Sequence, residues 1–380
     1  MAFAASLFGW LIVLLALGAI GYSLLSVLAV HRFAGSRLPP PARLEPVTLL
    51  KPLHGLEPRL RENLASFLDQ DWQAPIEMVA GSNQADDPAL SMAGDLSNKI
   101  IIVGGSLPLG GNAKAANLSN MMRFAGYDLL IVSDSDMAVG VDYVSRIAAS
   151  LEQPLVGAVT CLYRGRADAR GWSRFAAAAI SYQFAPSVVM SFALGAEQAC
   201  MGSTIALRRT TLERIGGFEA FANCLADDYA IGMAVRGLGL NVVPSPRMLL
   251  EHGCAEESFG AVWRHELRWA VTVRGVNLPG HLGSLLTHPL ALSLLSIPLM
   301  PVAGGALVAA SLLVRCFLAR KIDRWAGERT APMWWLPARD LLSFAIFLAS
   351  FGARSVDWRG AELRIGPRGQ VMAKPEIRVP

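Results

Sequence analysis

The chain has 380 residues, a hydrophobic fraction of 53% and a mean hydropathy of +0.39, which is more apolar than an ordinary soluble domain. Its formal charge of +4 includes no dense run of Lys or Arg, so no nucleic-acid partner is expected. Five cysteines (Cys161, Cys200, Cys224, Cys254, Cys316) form no C-x-x-C pair, which argues against a disulfide framework or thiolate metal cluster and fits a reducing compartment.

The apolar excess lies at the two ends. Met1 to Val30 carries no charged side chain, and His31, Arg32, Arg37 and Arg43 follow. The stretch is long enough for one helical span, and no basic residue precedes it as in a signal peptide. The basic residues behind it place the next domain in the cytoplasm. Residues 1–32 are expected to be an uncleaved transmembrane anchor, with Leu38–Pro46 as a proline-rich connector.

From Val47 the pattern is strand, turn, helix. Strands are expected at Val47–Leu50, Ile76–Ala80, Ile100–Val103, Asp128–Ser133 and Leu155–Leu162, and helices at Pro58–Phe67 and Asn112–Phe124. Short apolar strands alternating with helices predict an α/β fold with a mostly parallel, doubly wound sheet. Ligands of such sheets gather at the carboxyl ends of the strands.

The chemistry-bearing residues fall near those ends. Asp134-Ser135-Asp136 follows the apolar run Leu129–Val132. Two carboxylates so spaced suit one Mg²⁺ or Mn²⁺, which takes oxygen ligands together with substrate phosphates; a lone D-x-D is otherwise a solvated polar turn. Gly110-Gly111-Asn112-Ala113-Lys114 opens a helix, and its N-terminus with Lys114 favours an anionic diphosphate. Ala226-Asp227-Asp228-Tyr229 opens another, where carboxylates serve as helix-dipole partners or as the base that takes a proton from an acceptor hydroxyl. Gly202-Ser203-Thr204 is a small polar loop assigned to sugar or acceptor contact. In His265-Glu266-Leu267-Arg268-Trp269, Arg268 is suited to phosphate oxygens and Trp269 to walling a sugar or acceptor.

Leu285 to Leu318 is almost continuously apolar, too long for one span and suited to a helical hairpin. Arg320, Lys321 and Arg324 then mark a return to the cytoplasm. A last apolar piece, Leu341–Phe351, follows Trp334, Trp335, Arg339 and Asp340 and reads as an interfacial or spanning helix. The expected division is an anchor at 1–32, a cytoplasmic catalytic domain at 45–282, a membrane hairpin at 283–320, and an interfacial or transmembrane helix with a short tail at 333–380. The basic residues flanking these apolar ends suit an anionic membrane surface.

Taken in order, these motifs resemble the membrane-bound inverting glycosyltransferases of GT-A fold, and among them the ceramide glucosyltransferase group. The similarity runs from Leu49-Leu50-Lys51-Pro52-Leu53-His54-Gly55 to Arg268-Trp269 and includes the Trp358-Arg359-Gly360 tail. Thr160–Arg166 and His265–Trp269 are similar to the bacterial hopanoid-biosynthesis-associated glycosyltransferases. The resemblance implies a GT-A, Rossmann-like nucleotide-sugar domain with N- and C-terminal transmembrane helices in a multi-pass protein of a bacterial inner membrane. It implies transfer of N-acetylglucosamine from UDP-GlcNAc to a hopanoid polyol, with ceramide and UDP-glucose as the alternative acceptor and donor. Its motifs imply that Asp134 and Asp136 hold the metal and the diphosphate, that Asp228 is the base, and that Arg268 and Trp269 contact the donor. Asp227, His265, Gly202 and Ser203 are expected on the acceptor side. His265 stands where the family has Gln or Arg, and Gln84 stands where its first aspartate is expected, with Asp86 and Asp87 beside it as nucleotide contacts. A processive polysaccharide synthase and a non-catalytic membrane scaffold are the competing readings.

Overall fold

The structure is a computed structural model that describes residues 2–106, 109–196, 199–353, 355–358, 361–365 and 371–372, with side chains described from residue 7 to residue 353 of these. In chain order it runs α1 (Ala2–Gly35), β1 (Val47–Pro52), α2 (Leu60–Leu68), β2 (Ile76–Ser82), α3 (Pro88–Leu96), β3 (Ile100–Gly104), α4 (Ala113–Met121), β4 (Leu129–Val132), β5 (Met137–Ala138), α5 (Tyr143–Leu151) and β6 (Val156–Ala167). Then come α6 (Trp172–Ala179), a π-helical turn (Ile180–Phe184), α7 (Ala185–Ala193), β7 (Ile205–Arg208), α8 (Arg209–Arg214), α9 (Asp227–Gly237), β8 (Asn241–Cys254) and α10 (Phe259–Val276). The rest holds α11 (Leu278–Gly283), α12 (Pro289–Ser296), α13 (Pro301–Ala326), α14 (Leu336–Gly352) and the short strands β9 (Ser355–Trp358), β10 (Ala361–Ile365) and β11 (Val371–Met372). Of the Trp358-Arg359-Gly360 tail, Arg359 and Gly360 lie outside the described residues.

The chain divides into two compact units. The sheet unit comprises Ser36–Tyr163, Gly195–Ala255 and Arg364–Pro380, and the helical unit Met1–Gly35, Arg164–Leu194 and Glu256–Leu363. The sheet has eight strands in the order β3-β2-β1-β4-β7-β6-β8-β5. β1 runs parallel to β2 and to β4, and β2 parallel to β3. Beyond β4 the pairing turns antiparallel, in β4–β7, β6–β7 and β5–β8. The sheet is therefore mixed, a correction to the mostly parallel expectation. The first four strands are joined through helices; β1, β2 and β4 are buried along most of their length, and the edge strand β3 is buried only at Ile100 and Val103. β8 instead alternates between buried and more exposed positions over much of its 14 residues, which an antiparallel sheet allows and a parallel one seldom does. Leu50, Val79, Val103, Leu130 and Val132 from the strands pack with Leu118 and Met121 of α4 and Ile231 and Val235 of α9 to form the core.

In the helical unit three helices are long and apolar enough to cross a membrane: Leu7–Gly35, Trp172–Ala193 and Pro301–Ala326. Trp172–Ala193 was not expected from the sequence. The stretch read as a hairpin holds α12, of 8 residues, and α13, of 26 residues. At about 1.5 Å per residue, α12 is too short to span the roughly 30 Å hydrocarbon layer. Two charge pairs tie the later helices together. Arg315 of α13 holds Asp340 bidentately, with both contacts at 2.8 Å, and Arg339 of α14 holds Glu266 of α10 at 2.9 and 2.6 Å.

Candidate active site

The candidate site lies in the sheet unit, at the carboxyl end of β4. β1 sits between β2 and β4, so Lys51 near its end is wholly buried. Its ammonium lies 3.7 Å over the Phe67 ring and donates to the Asp134 carbonyl at 2.5 Å. Burial pushes Lys51 down to about 7, against the pull of Asp134, Asp136 and Glu57. Asn63 Nδ2 donates to the Ser135 carbonyl at 3.2 Å, and Ser135 Oγ bonds Glu57 at 2.6 Å. The backbone of the D-x-D turn is thus fixed from beneath.

Asn112 caps α4 by accepting from the backbone N–H groups of Lys114 and Ala115, while its own Nδ2 donates to the Cys224 carbonyl at 2.7 Å. Gly110 has φ +65° and comes so close to the Ala222 carbonyl that a Cβ there would lie 2.5 Å from it. The glycine loop therefore packs against the segment leading into Asp227. Lys114 is brought to 2.5 Å from Asp134 Oδ1 and 4.0 Å from Asp227 Oδ2. Burial disfavours the Lys114 ammonium, but Asp134 and Asp227 outweigh it and hold the group charged, above its ordinary range. Asp227 Oδ2 is buried and accepts no hydrogen bond among the described residues.

Asp227 and Asp228 form the first turn of α9, where the helix dipole favours carboxylates. Asp228 Oδ2 accepts from Gly202 N at 2.9 Å and Oδ1 from Tyr229 N at 2.8 Å. Burial, with Asp227 beside it, raises the Asp228 carboxyl to about 6, a value suited to a general base near neutral pH. Gly202 also faces Asp134, and a Cβ there would lie 2.5 Å from Asp134 Oδ2. Only a glycine leaves that space open.

Sequence reasoning missed His252, whose Nε2 lies 3.2 Å from Asp136 Oδ2 and whose ring stacks on Tyr163 at 5.4 Å. Burial would lower the imidazole, but Asp136 overrides it and holds it well above the usual range. The signal is the antiparallel register that pairs Met137 with His252, which is not local in sequence. Lys51 lies inside the Leu49–Gly55 motif, and nothing local in the sequence signals its place under Asp134.

Of the other expected residues, some are engaged within the sheet unit and others belong to the helical unit. Asp87 caps α3 through Ala89 N and also accepts from Gly55 N and Ser82 Oγ. Asp86 and Gln84 are exposed beside it. Ser203 Oγ is buried and donates to the Cys161 carbonyl at 2.7 Å. His265, Arg268 and Trp269 stand on α10, in the helical unit.

The residues present suit a hard divalent cation. The side chains of Asp134 and Asp136 keep 38% and 33% of their surface open while Asp227 keeps 10%, so the D-x-D carboxylates are the more open ones, with Asp136 Oδ1 turned inward. Among the described residues no group of three His, Cys, Asp or Glu side chains converges as a metal cage. Mg²⁺ and Mn²⁺ need no such cage, since substrate phosphates complete the shell.

The mixed sheet has the GT-A fold, with an acidic cluster and a buried lysine at its strand ends. The fold is shared with a mannosyltransferase from Pyrobaculum calidifontis solved with GDP-Man and Mn²⁺, at TM-score 0.54 and 18% identity over 92% of this chain and 99% of that one. The chain belongs to Glycosyl transferase family 21, whose model matches residues 11–371. Ceramide glucosyltransferase 1 of Caenorhabditis elegans is 24% identical over 228 residues, 58% of this chain and 48% of that protein. Ceramide glucosyltransferase 3 of the same organism is 27% identical over 254 residues, 64% of this chain and 53% of that protein. The chain thus spans about half the length of these curated relatives.

Proposed function

We propose that the protein transfers a hexose from a UDP-sugar to a lipid hydroxyl, by single displacement with inversion. The observation that carries this reading is the convergence of Lys114, Asp134 and Asp228 on Gly202, with Asp227 beside Lys114. Asp228 takes the proton of the attacking hydroxyl. Lys114 hydrogen-bonds the diphosphate and stabilises the charge that develops on it. The two backbone N–H bonds to Asp228 and the carbonyl bond from Lys51 hold these groups in place before substrate arrives. Asp134 and Asp136 would hold a divalent cation, which would supply Lewis-acid neutralisation of the leaving UDP.

The curated relatives are ceramide glucosyltransferases, and this favours ceramide and UDP-glucose over the hopanoid and UDP-GlcNAc. The three long apolar helices support a multi-pass membrane protein, and the basic residues after the first of them support a cytoplasmic catalytic unit. The test is to incubate the detergent-purified chain and Mn²⁺ with UDP-glucose or UDP-GlcNAc against ceramide or bacteriohopanetetrol separately, with mass spectrometry of the lipids. Glucosylceramide is the expected product. N-acetylglucosaminyl hopanoid would keep the mechanism and reverse the acceptor, and no glycolipid from any pair would overturn the reading.

A further inference from the structure

All three membrane-length helices carry polar side chains near their middles, and these meet at one small cavity inside the helical unit. Tyr22 and Ser26 come from α1, Gln183 from the π-helical turn, Ser187 from α7 and Arg315 from α13, with Thr287 just before α12. Ser26 is 1% exposed and Arg315 4%. Hydrocarbon offers such groups no partner, so each must find one within the protein.

Most of them do. Arg315 is neutralised by its two contacts to Asp340. Ser26 Oγ donates to the Tyr22 carbonyl at 2.9 Å, and Ser187 Oγ to the Gln183 carbonyl at 2.6 Å. Thr287 Oγ1 donates to the Ser284 carbonyl at 2.8 Å and so offers Gln183 only its lone pairs. Gln183 Nε2 therefore faces Thr287, at 2.9 Å, and reaches His288 Nδ1 at 3.2 Å. Gln183 Oε1 is left buried, with no hydrogen-bond partner among the described residues. An acceptor stranded in this way destabilises the fold.

The cavity offers about 10 Å³ to a water-sized sphere, which is the room that one oxygen needs, roughly 10–15 Å³. Apolar voids of that size stay dry, whereas polar ones are filled. The serine and threonine protons point at backbone carbonyls, so the lining presents mainly acceptors. With Arg315 already paired, a fitting occupant is uncharged, one oxygen in size and able to donate.

We propose that this cavity binds one hydroxyl group, from a buried water or from a lipid, which donates to Gln183 Oε1 and links α1, α7 and α13. The inference rests on the membrane reading of the helical unit and is independent of the sugar chemistry, so a chain that transferred no sugar would leave it standing.

The test is thermal unfolding of the full chain in phosphatidylcholine nanodiscs. Ser187→Val fills the cavity with methyl groups. It displaces a bound hydroxyl and strands Gln183 Oε1, so the unfolding temperature is expected to fall by about 2–4 °C. In a Q183L background no acceptor is left to strand, and S187V should change the temperature by less than about 1 °C. A steric clash of the valine would lower both backgrounds alike. A rise on S187V, no change, or the same fall in both backgrounds overturns the inference. Diacylglycerol added to the nanodiscs separates the two sources. An unchanged wild-type temperature identifies water, and a rise that S187V abolishes identifies a lipid hydroxyl; either supports the site.

Discussion

Lys114 Nζ lies 2.5 Å from Asp134 Oδ1 and 4.0 Å from Asp227 Oδ2, so one ammonium links the D-x-D turn to the first turn of α9. In the proposed mechanism an arriving diphosphate competes for that ammonium and a cation for Asp134. Lys114 can therefore pass from carboxylate to phosphate without leaving charge unpaired.

Replacing Lys114 by Met removes one charge-assisted phosphate contact and leaves the carboxylates uncompensated. The KM for the UDP-sugar is expected to rise about 10- to 100-fold, as follows from the roughly 1.5–3 kcal/mol of a hydrogen bond to a charged group. The effect on the lipid KM is expected to be smaller. Initial rates with each substrate varied in turn check this.

In the proposed mechanism Asp228 acts in its ionised form, and burial raises its carboxyl to about 6. The rate is expected to level off above about pH 7 and to fall about tenfold per pH unit well below pH 6. Asp228→Asn should lower kcat by roughly 10²- to 10⁴-fold and leave UDP-sugar binding near wild type. Stability runs the other way. A carboxyl raised on folding stabilises the protein fully below its unfolded value, and that contribution is lost as pH rises through the folded value of about 6. Asp228→Asn should therefore unfold at a higher temperature than wild type at pH 7–8, and the difference should close near pH 4.

Chelation with EDTA is expected to abolish transfer, and added Mn²⁺ or Mg²⁺ to restore it. Asp136→Asn should shift the metal concentration for half-maximal rate upward by about tenfold or more, since a ligand is lost as well as charge. Metal titrations of the rate, together with direct metal binding by the purified chain, test this.

Much of the site was legible because its signals are local. Asp134 and Asp136 follow a four-residue buried strand, and Asp227 and Asp228 open a helix; periodicity and composition place both. What stayed hidden depends on pairing between distant segments. Lys51 looks like an ordinary charge at a strand end until β1 is known to lie between β2 and β4. His252 reaches Asp136 only through the β5–β8 register. The helix Trp172–Ala193 escaped notice because polar residues interrupt its apolar run. The structure shows them paired, Ser181 with Thr330 and the Gly165 amide, and Gln183 with Thr287. Asp87 was legible as a charge but not as a cap, since its partners Gly55 and Ser82 come from two other segments.

In the helical unit, Arg339 is 1% exposed and holds Glu266 bidentately. Arg339→Met leaves a half-buried carboxylate without its partner and is expected to cost about 3–5 kcal/mol. The double variant R339M/E266L should regain most of that loss, because no charge is then left unpaired. Thermal unfolding of the four proteins in one detergent closes the cycle.

The most direct test of the account is the anomeric configuration of the glycolipid formed from UDP-α-glucose and ceramide, read by proton NMR. Single displacement with Asp228 as base predicts the β-glucoside, identified by a large diaxial coupling at the anomeric proton. An α-glucoside would contradict inversion and remove Asp228 from the role assigned to it.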